Sequence, residues 1–104
     1  MIDESTIAEA GRRISAAAPM AKVILFGSHA RGEADRQSDL DLLVIEPQVE
    51  NAAEESVRLH RLLRGLGVPA DVVVVDEALA RRRSMVAGTM VERALREGRV
   101  LVDA

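Results

Sequence analysis

Two apolar strand-like runs, Lys22–Phe26 and residues 40–45, are joined by a polar link over residues 28–38. That link constrains the fold more than any other feature. A parallel strand pair needs a crossover of roughly a dozen residues or more, usually a helix, so these two strands are expected to run antiparallel. A third run, DVVVV at residues 71–75, follows the second across a segment long enough to hold a full helix. That pair is expected to be parallel, with a right-handed crossover. The second strand is apolar on both faces and belongs at the centre of the sheet.

The remaining segments read as helices around this sheet. Residues 4–18 place Ile7, Ala10, Ile14 and Ala17 at helical spacing before Pro19 stops the run. Residues 50–66 carry Ala53, Val57, Leu59, Leu62, Leu63 and Leu66 as an apolar face, with Arg58, Arg61 and Arg64 outward. Gly65-x-Gly67 and Pro69 close that helix; because they follow a helix rather than a strand, they are a stop signal and not a dinucleotide fingerprint. Residues 77–97 read as helix interrupted near Gly88, with Met90, Val91, Ala94 and Leu95 as the late apolar face. Arg99–Val102 reads as a short edge strand. The fold class is α+β, a small mixed sheet flanked by helices, expected as one domain over residues 1–104.

Topology gathers the chemistry. If the first two strands are antiparallel and the next two parallel, the Gly27-Ser28 turn, Asp39, Asp41 and Asp71 meet at one end of the sheet. Residues i and i+2 of a strand share a face, so Asp39 and Asp41 project together while Leu40 turns to the core. Carboxylates held this close repel one another unless a cation sits among them. An all-oxygen set without His or Cys suits Mg²⁺ or Mn²⁺ better than zinc. Gly27 lets the backbone approach a ligand, and Ser28 offers a hydroxyl and backbone N–H groups to phosphate. Arg31 either neutralises phosphate or pairs with Glu33 or Asp35. Ser38 is read as a local turn hydrogen-bonder positioning Asp39 rather than a catalytic group. His29 is read as incidental, His60 and the Arg81-Arg82-Arg83 run as solvated surface, and Met85 and Met90 as core or interface filler.

The pattern GSHARG…SDLDLLV, with Asp71 in PADVVVVD, resembles the signature of the DNA polymerase β-like nucleotidyltransferases, and in particular the minimal nucleotidyltransferase (MNT) family. The resemblance covers essentially the whole chain. It implies the polymerase β-like nucleotidyltransferase fold. Asp39 and Asp41 would hold metal ions carrying ATP, and Asp71 would complete the metal site or assist deprotonation of the acceptor. Gly27 and Ser28 would hold the β- and γ-phosphates, with Arg31 and Ser38 beside them. MNT proteins are typically paired with a HEPN-domain toxin, which they neutralise by transferring AMP to a tyrosine hydroxyl, by binding, or both. The resemblance therefore implies a Mg²⁺-dependent antitoxin with ATP as substrate and a complex with its toxin. Two alternatives stand beside it: an antitoxin acting by contact alone, and a nucleotidyltransferase for a small molecule or a nucleic-acid end.

Composition narrows the choice. The net charge is −3, with no Trp, no Tyr and one Phe, which leaves neither a global attraction to nucleic acid nor a surface on which to stack bases. With no tyrosine in the chain, a tyrosine acceptor would lie on another molecule. The acidic N-terminus and the lack of a membrane-length apolar run lead to the expectation of a cytoplasmic protein. No cysteine is present, so thiol and disulfide chemistry are excluded.

Overall fold

The computed structural model describes residues 3–32 and 39–104. In chain order the elements are α1 (Glu4–Ala17), β1 (Lys22–Phe26), α2 (Ser28–Arg31), β2 (Leu40–Glu46), α3 (Ala52–Arg61), β3 (Ala70–Asp76), α4 (Glu77–Ser84), α5 (Met90–Glu97) and β4 (Arg99–Val102). The strands form a four-stranded mixed sheet in the order β3-β2-β1-β4. β1 is antiparallel to β2 and to β4, and β2 is parallel to β3. The expected topology is therefore the observed one, with β2 internal and β4 at an edge.

Strand alternation divides the core in two. Val23, Leu25, Leu40, Leu42, Val44, Val72 and Val74 face α1 and α3, packing with Ile7, Ala10, Ile14, Leu59 and Leu63. Ile24, Leu43, Ile45 and Val75 face the other way, against Ala80 of α4 and Val91 and Ala94 of α5. Both faces of β2 are buried, which accounts for its unbroken aliphatic run. Helix starts are set by side-chain caps: Asn51, Asp76 and Thr89 accept hydrogen bonds from the backbone N–H of Glu54, Leu79 and Glu92 at 3.1, 2.7 and 3.2 Å. Among the described residues no helix is long and apolar enough to cross a membrane.

The helix expected over 50–66 is regular only over Ala52–Arg61. Beyond it the chain tightens into three-residue turns, Leu62 N–H bonding Leu59 O and Leu63 N–H bonding His60 O. The carbonyls of Leu62 and Arg64 accept from the Arg13 guanidinium of α1, each at 3.0 Å. A side chain distant in sequence thus ends the helix early. Its apolar face is also narrower than expected: Leu59 is fully buried, whereas Val57 is 50% exposed and Ala53 is exposed as well. We expect Leu59→Ala to cost about 3 kcal/mol and Val57→Ala within about 0.5 kcal/mol, read from denaturant unfolding of each variant. His60 is on the surface as expected, but its Nε2 lies 3.0 Å from the Ala70 carbonyl oxygen and ties α3 to the start of β3. Met85, expected as core or interface filler, is 87% exposed between α4 and α5.

At the far end of β2, Glu46 meets Glu55 and Arg58. Burial, and then the hydrogen bond to Glu55, pushes Glu46 up to about 7. The Arg58 guanidinium, 2.7 and 2.8 Å from the Glu55 oxygens, holds Glu55 down to about 2. The signs are opposite. A raised acid holds its proton in the folded state after the unfolded chain has lost it, so the Glu46 contribution is full below the usual glutamate range and is lost as pH rises towards 7. The Glu55 contribution is full above that range and is lost as pH falls towards 2. Glu46→Gln should therefore flatten the loss of stability between about pH 4.5 and 7, a slope of less than ~1.4 kcal/mol per pH unit after solvent screening. Thermal melts of both proteins across that range measure it.

Candidate active site

The site is built on one row of the sheet. Phe26 on β1 is paired with Asp41 on β2, and Asp41 with Asp71 on β3. Paired residues in a ladder share a face, so Asp41 and Asp71 stand side by side with Phe26 next to them. By alternation they lie on the α4–α5 face, at its open end, continuous with Leu43 and Val73. Leu40 is turned to the opposite face and has no solvent exposure. Asp39 precedes the strand and is exposed.

Gly27 makes the close approach possible. Its φ of +76° and ψ of −154° belong to a region that only glycine enters readily. A Cβ at this position would collide with the Asp41 carboxylate. The turn leads into α2, whose first residue is Ser28, and Gly32 ends that helix in the left-handed conformation. Gly27, Ser28, Arg31, Asp41 and Asp71 all line one cleft of about 440 Å³. Ser38, expected with them, lies outside the described residues, as do Glu33 and Asp35.

Burial raises the Asp41 carboxyl above the usual aspartate range, repulsion from Asp71 and then Asp39 adds to this, and the charges of His29 and Arg31 oppose it. Asp41 thus feels both of the other expected acids, and His29, read as incidental, is close enough to be felt as well. Among the described residues no three His, Cys, Asp or Glu groups are placed to hold a metal ion together, and Asp39, expected in the set, does not line the cleft that Asp41 and Asp71 share. Mg²⁺ does not need three such groups, because it is commonly held by one or two carboxylates together with substrate phosphates and water. The neighbouring Asp41–Asp71 pair, with Asp39 adjacent and a glycine turn open to phosphate, fits a hard divalent cation carried in with a nucleotide.

The cleft has a wall that the sequence reading did not assign. Met90, Arg93 and Glu97 of α5 line it together with Asp41 and Asp71, while Val91 and Ala94 fix the helix in the core. Spacings of three and four residues put Met90, Arg93 and Glu97 on one helical stripe, a signal available in the sequence but masked by the adjacent apolar face. Phe26 and Val73 supply apolar floor. Arg31 pairs with Glu97 at 3.8 Å, a partner outside the pair of acids considered for it.

Comparisons with known proteins place the fold. The profile of the nucleotidyltransferase domain family matches residues 7–101, and the chain belongs to that family. Its likeness within the family is to the minimal, polymerase β-like members. It is 35% identical to a solved structure assigned as a minimal nucleotidyltransferase, covering 92% of each chain with a TM-score of 0.63. A structure assigned as a nucleotidyltransferase from Sulfolobus solfataricus is 27% identical over 75% of this chain and 70% of that chain, TM-score 0.59. A toxin–antitoxin structure with AMP-PNP shares the fold at 21% identity, over 93% of this chain and 73% of that chain, TM-score 0.58. Comparison with curated protein sequences gives no match.

Proposed function

We propose that this chain is a single-domain, cytoplasmic MNT-type antitoxin that transfers AMP from ATP to a tyrosine hydroxyl of a HEPN-domain toxin. The observation that carries the catalytic part is the in-register Asp41–Asp71 pair facing Gly27 and Ser28 across one cleft. Burial and then the charge of Asp71 raise Asp41, so the pair is costly to keep unless something bound there offsets it. The likeness to a toxin–antitoxin structure with AMP-PNP supports the antitoxin part, as does the absence of tyrosine from this chain.

In this reading the acceptor oxygen attacks the α-phosphorus, forming the new P–O bond as the bond to the β-phosphate oxygen breaks and pyrophosphate leaves. Asp39 and Asp41 would hold Mg²⁺, and the ion would supply neutralisation of phosphate charge. Gly27 and Ser28 hold the β- and γ-phosphates, with Arg31 and Ser38 beside them. Asp71 would accept the acceptor proton or complete the metal set, the proton then passing to solvent.

The test mixes the purified protein with the product of the adjacent gene, ATP and Mg²⁺, and follows intact mass. Addition of AMP to the partner's tyrosine, absent without Mg²⁺, is the expected result. Tight binding and neutralisation with no mass change, and unimpaired in the Asp39→Asn/Asp41→Asn variant, would leave an antitoxin acting by contact alone.

A further inference from the structure

We propose that Arg93 binds the phosphate chain of the nucleotide and is its principal uncommitted cation in the cleft, an assignment that rests on the nucleotidyltransferase reading above. The cleft is lined by three carboxylates, Asp41, Asp71 and Glu97, and by two guanidiniums, Arg31 and Arg93. A magnesium–nucleoside triphosphate still carries net negative charge, so an acidic cleft needs cations to receive it. Arg31 already shares its charge with Glu97.

Arg93 is differently placed. Its helical partner at i+4 is Glu97, the ordinary position for an ion pair. Glu97 instead turns to Arg31 at 3.8 Å and to Arg96 at 3.2 Å, and Arg96 is further held by Glu92 at 3.2 Å. Among the described residues no carboxylate lies within ion-pair distance of Arg93. Arg96 thus takes both nearby carboxylates, while Arg93, which lines the cleft, pairs with none among the described residues.

Its position is fixed from behind. Val91 and Ala94, on either side of it in sequence, are 0% and 1% exposed, and the Thr89 cap fixes the start of the helix. The Arg93 backbone N–H bonds the Thr89 carbonyl at 3.0 Å. A planar fork of N–H donors on a rigid base suits phosphate oxygens.

The test uses a fluorescent ribose-labelled ATP bound with Mg²⁺ and displaced by ATP, by inorganic tripolyphosphate or by adenosine. Arg93→Ala should melt with the parent protein, since the side chain is exposed and makes no ion pair among the described residues. ATP and tripolyphosphate should displace the probe about 10- to 100-fold less well from the variant relative to adenosine, and Arg93→Lys should recover part of that loss. Displacement by tripolyphosphate unchanged in Arg93→Ala would overturn the assignment while leaving the nucleotide site intact. So would an equal loss for adenosine, which would mark Arg93 as part of the base or ribose wall. Failure of the parent protein to bind the probe at all would instead overturn the nucleotidyltransferase reading itself.

Discussion

Asp41→Asn should lower nucleotidyl transfer by about 10³-fold or more if Asp41 is the metal ligand proposed above, because the several kcal/mol that a bound metal would supply to the transition state would be lost with its ligand. The same substitution should leave the protein folded and raise its melting temperature. Asp41 stands in a partly buried row beside Asp71, and its carboxyl is raised by burial and by the neighbouring acids. A raised carboxyl is one whose ionised form the folded state disfavours, so at neutral pH the folded protein carries a penalty that asparagine removes. The gain should shrink as pH falls through the raised Asp41 range, where the parent carboxyl takes up its proton. Activity by intact mass and melting temperature by scanning fluorimetry on the same samples decide the matter. Unchanged transfer would remove Asp41 from the catalytic set, and a strongly lowered melting temperature would show that the acids are structural.

A loss of stability as large as that at Leu59 is expected at Gly98. Its φ is −77° and its ψ 170°, a conformation open to any residue, so the penalty for a side chain comes from contact alone. A Cβ there would overlap the Ala94 carbonyl oxygen, the Ile24 side chain and the Leu25 carbonyl oxygen. Two of the three are backbone atoms in a helix end and a central strand, and neither can swing aside. Gly98→Ala should cost about 3 kcal/mol and lower the melting temperature by more than ~10 °C. Gly88→Ala is the control. Gly88 has φ +87° and open space around its Cβ position, so only the conformational cost of about 1 kcal/mol applies. Equal losses at the two positions would mean that α5 is not packed against β1 as closely as described. Because α5 forms the wall of the cleft, Gly98→Ala should reduce nucleotide binding as well.

The sheet and one half of the site were legible because local chemistry and topology agreed. The strand Lys22–Phe26 was readable residue for residue, since a turn at Gly27 and the Pro19 stop bracket an uninterrupted aliphatic run. The convergence of Asp41 with Asp71 followed from the lengths of two links alone, and the register bears it out. Other features depended on contacts that no local pattern carries. The end of α3 is set by Arg13, which takes carbonyls 49 and 51 residues away. Val57 has the periodicity of a core residue, yet within residues 50–66 only Leu59 and Leu63 are buried, and Leu63 lies beyond the end of α3. The α5 wall was missed for a different reason. Val91 and Ala94 mark the face that packs, so attention to burial hid the Met90–Arg93–Glu97 stripe turned to the cleft. The pairing of Arg31 with Glu97 joins two elements whose proximity depends on how α5 is set against β1.

The sheet order β3-β2-β1-β4 also sets an order of assembly. β1 and β2 are near neighbours in sequence and β3 follows by one crossover, so the acids and the glycine turn meet at modest loop-closure cost. β4 must return across most of the chain to reach β1, and α1 is bound to it by the two contacts between Arg99 and Glu4, at 3.0 and 2.8 Å. A chain caught before that return has its carboxylate row in place but one long edge of β1 bare, with the strand's backbone donors and acceptors unpaired. The element that closes the nucleotide cleft and the element that covers this adhesive edge arrive together, so for this fold becoming competent and becoming safe from self-association are a single late event.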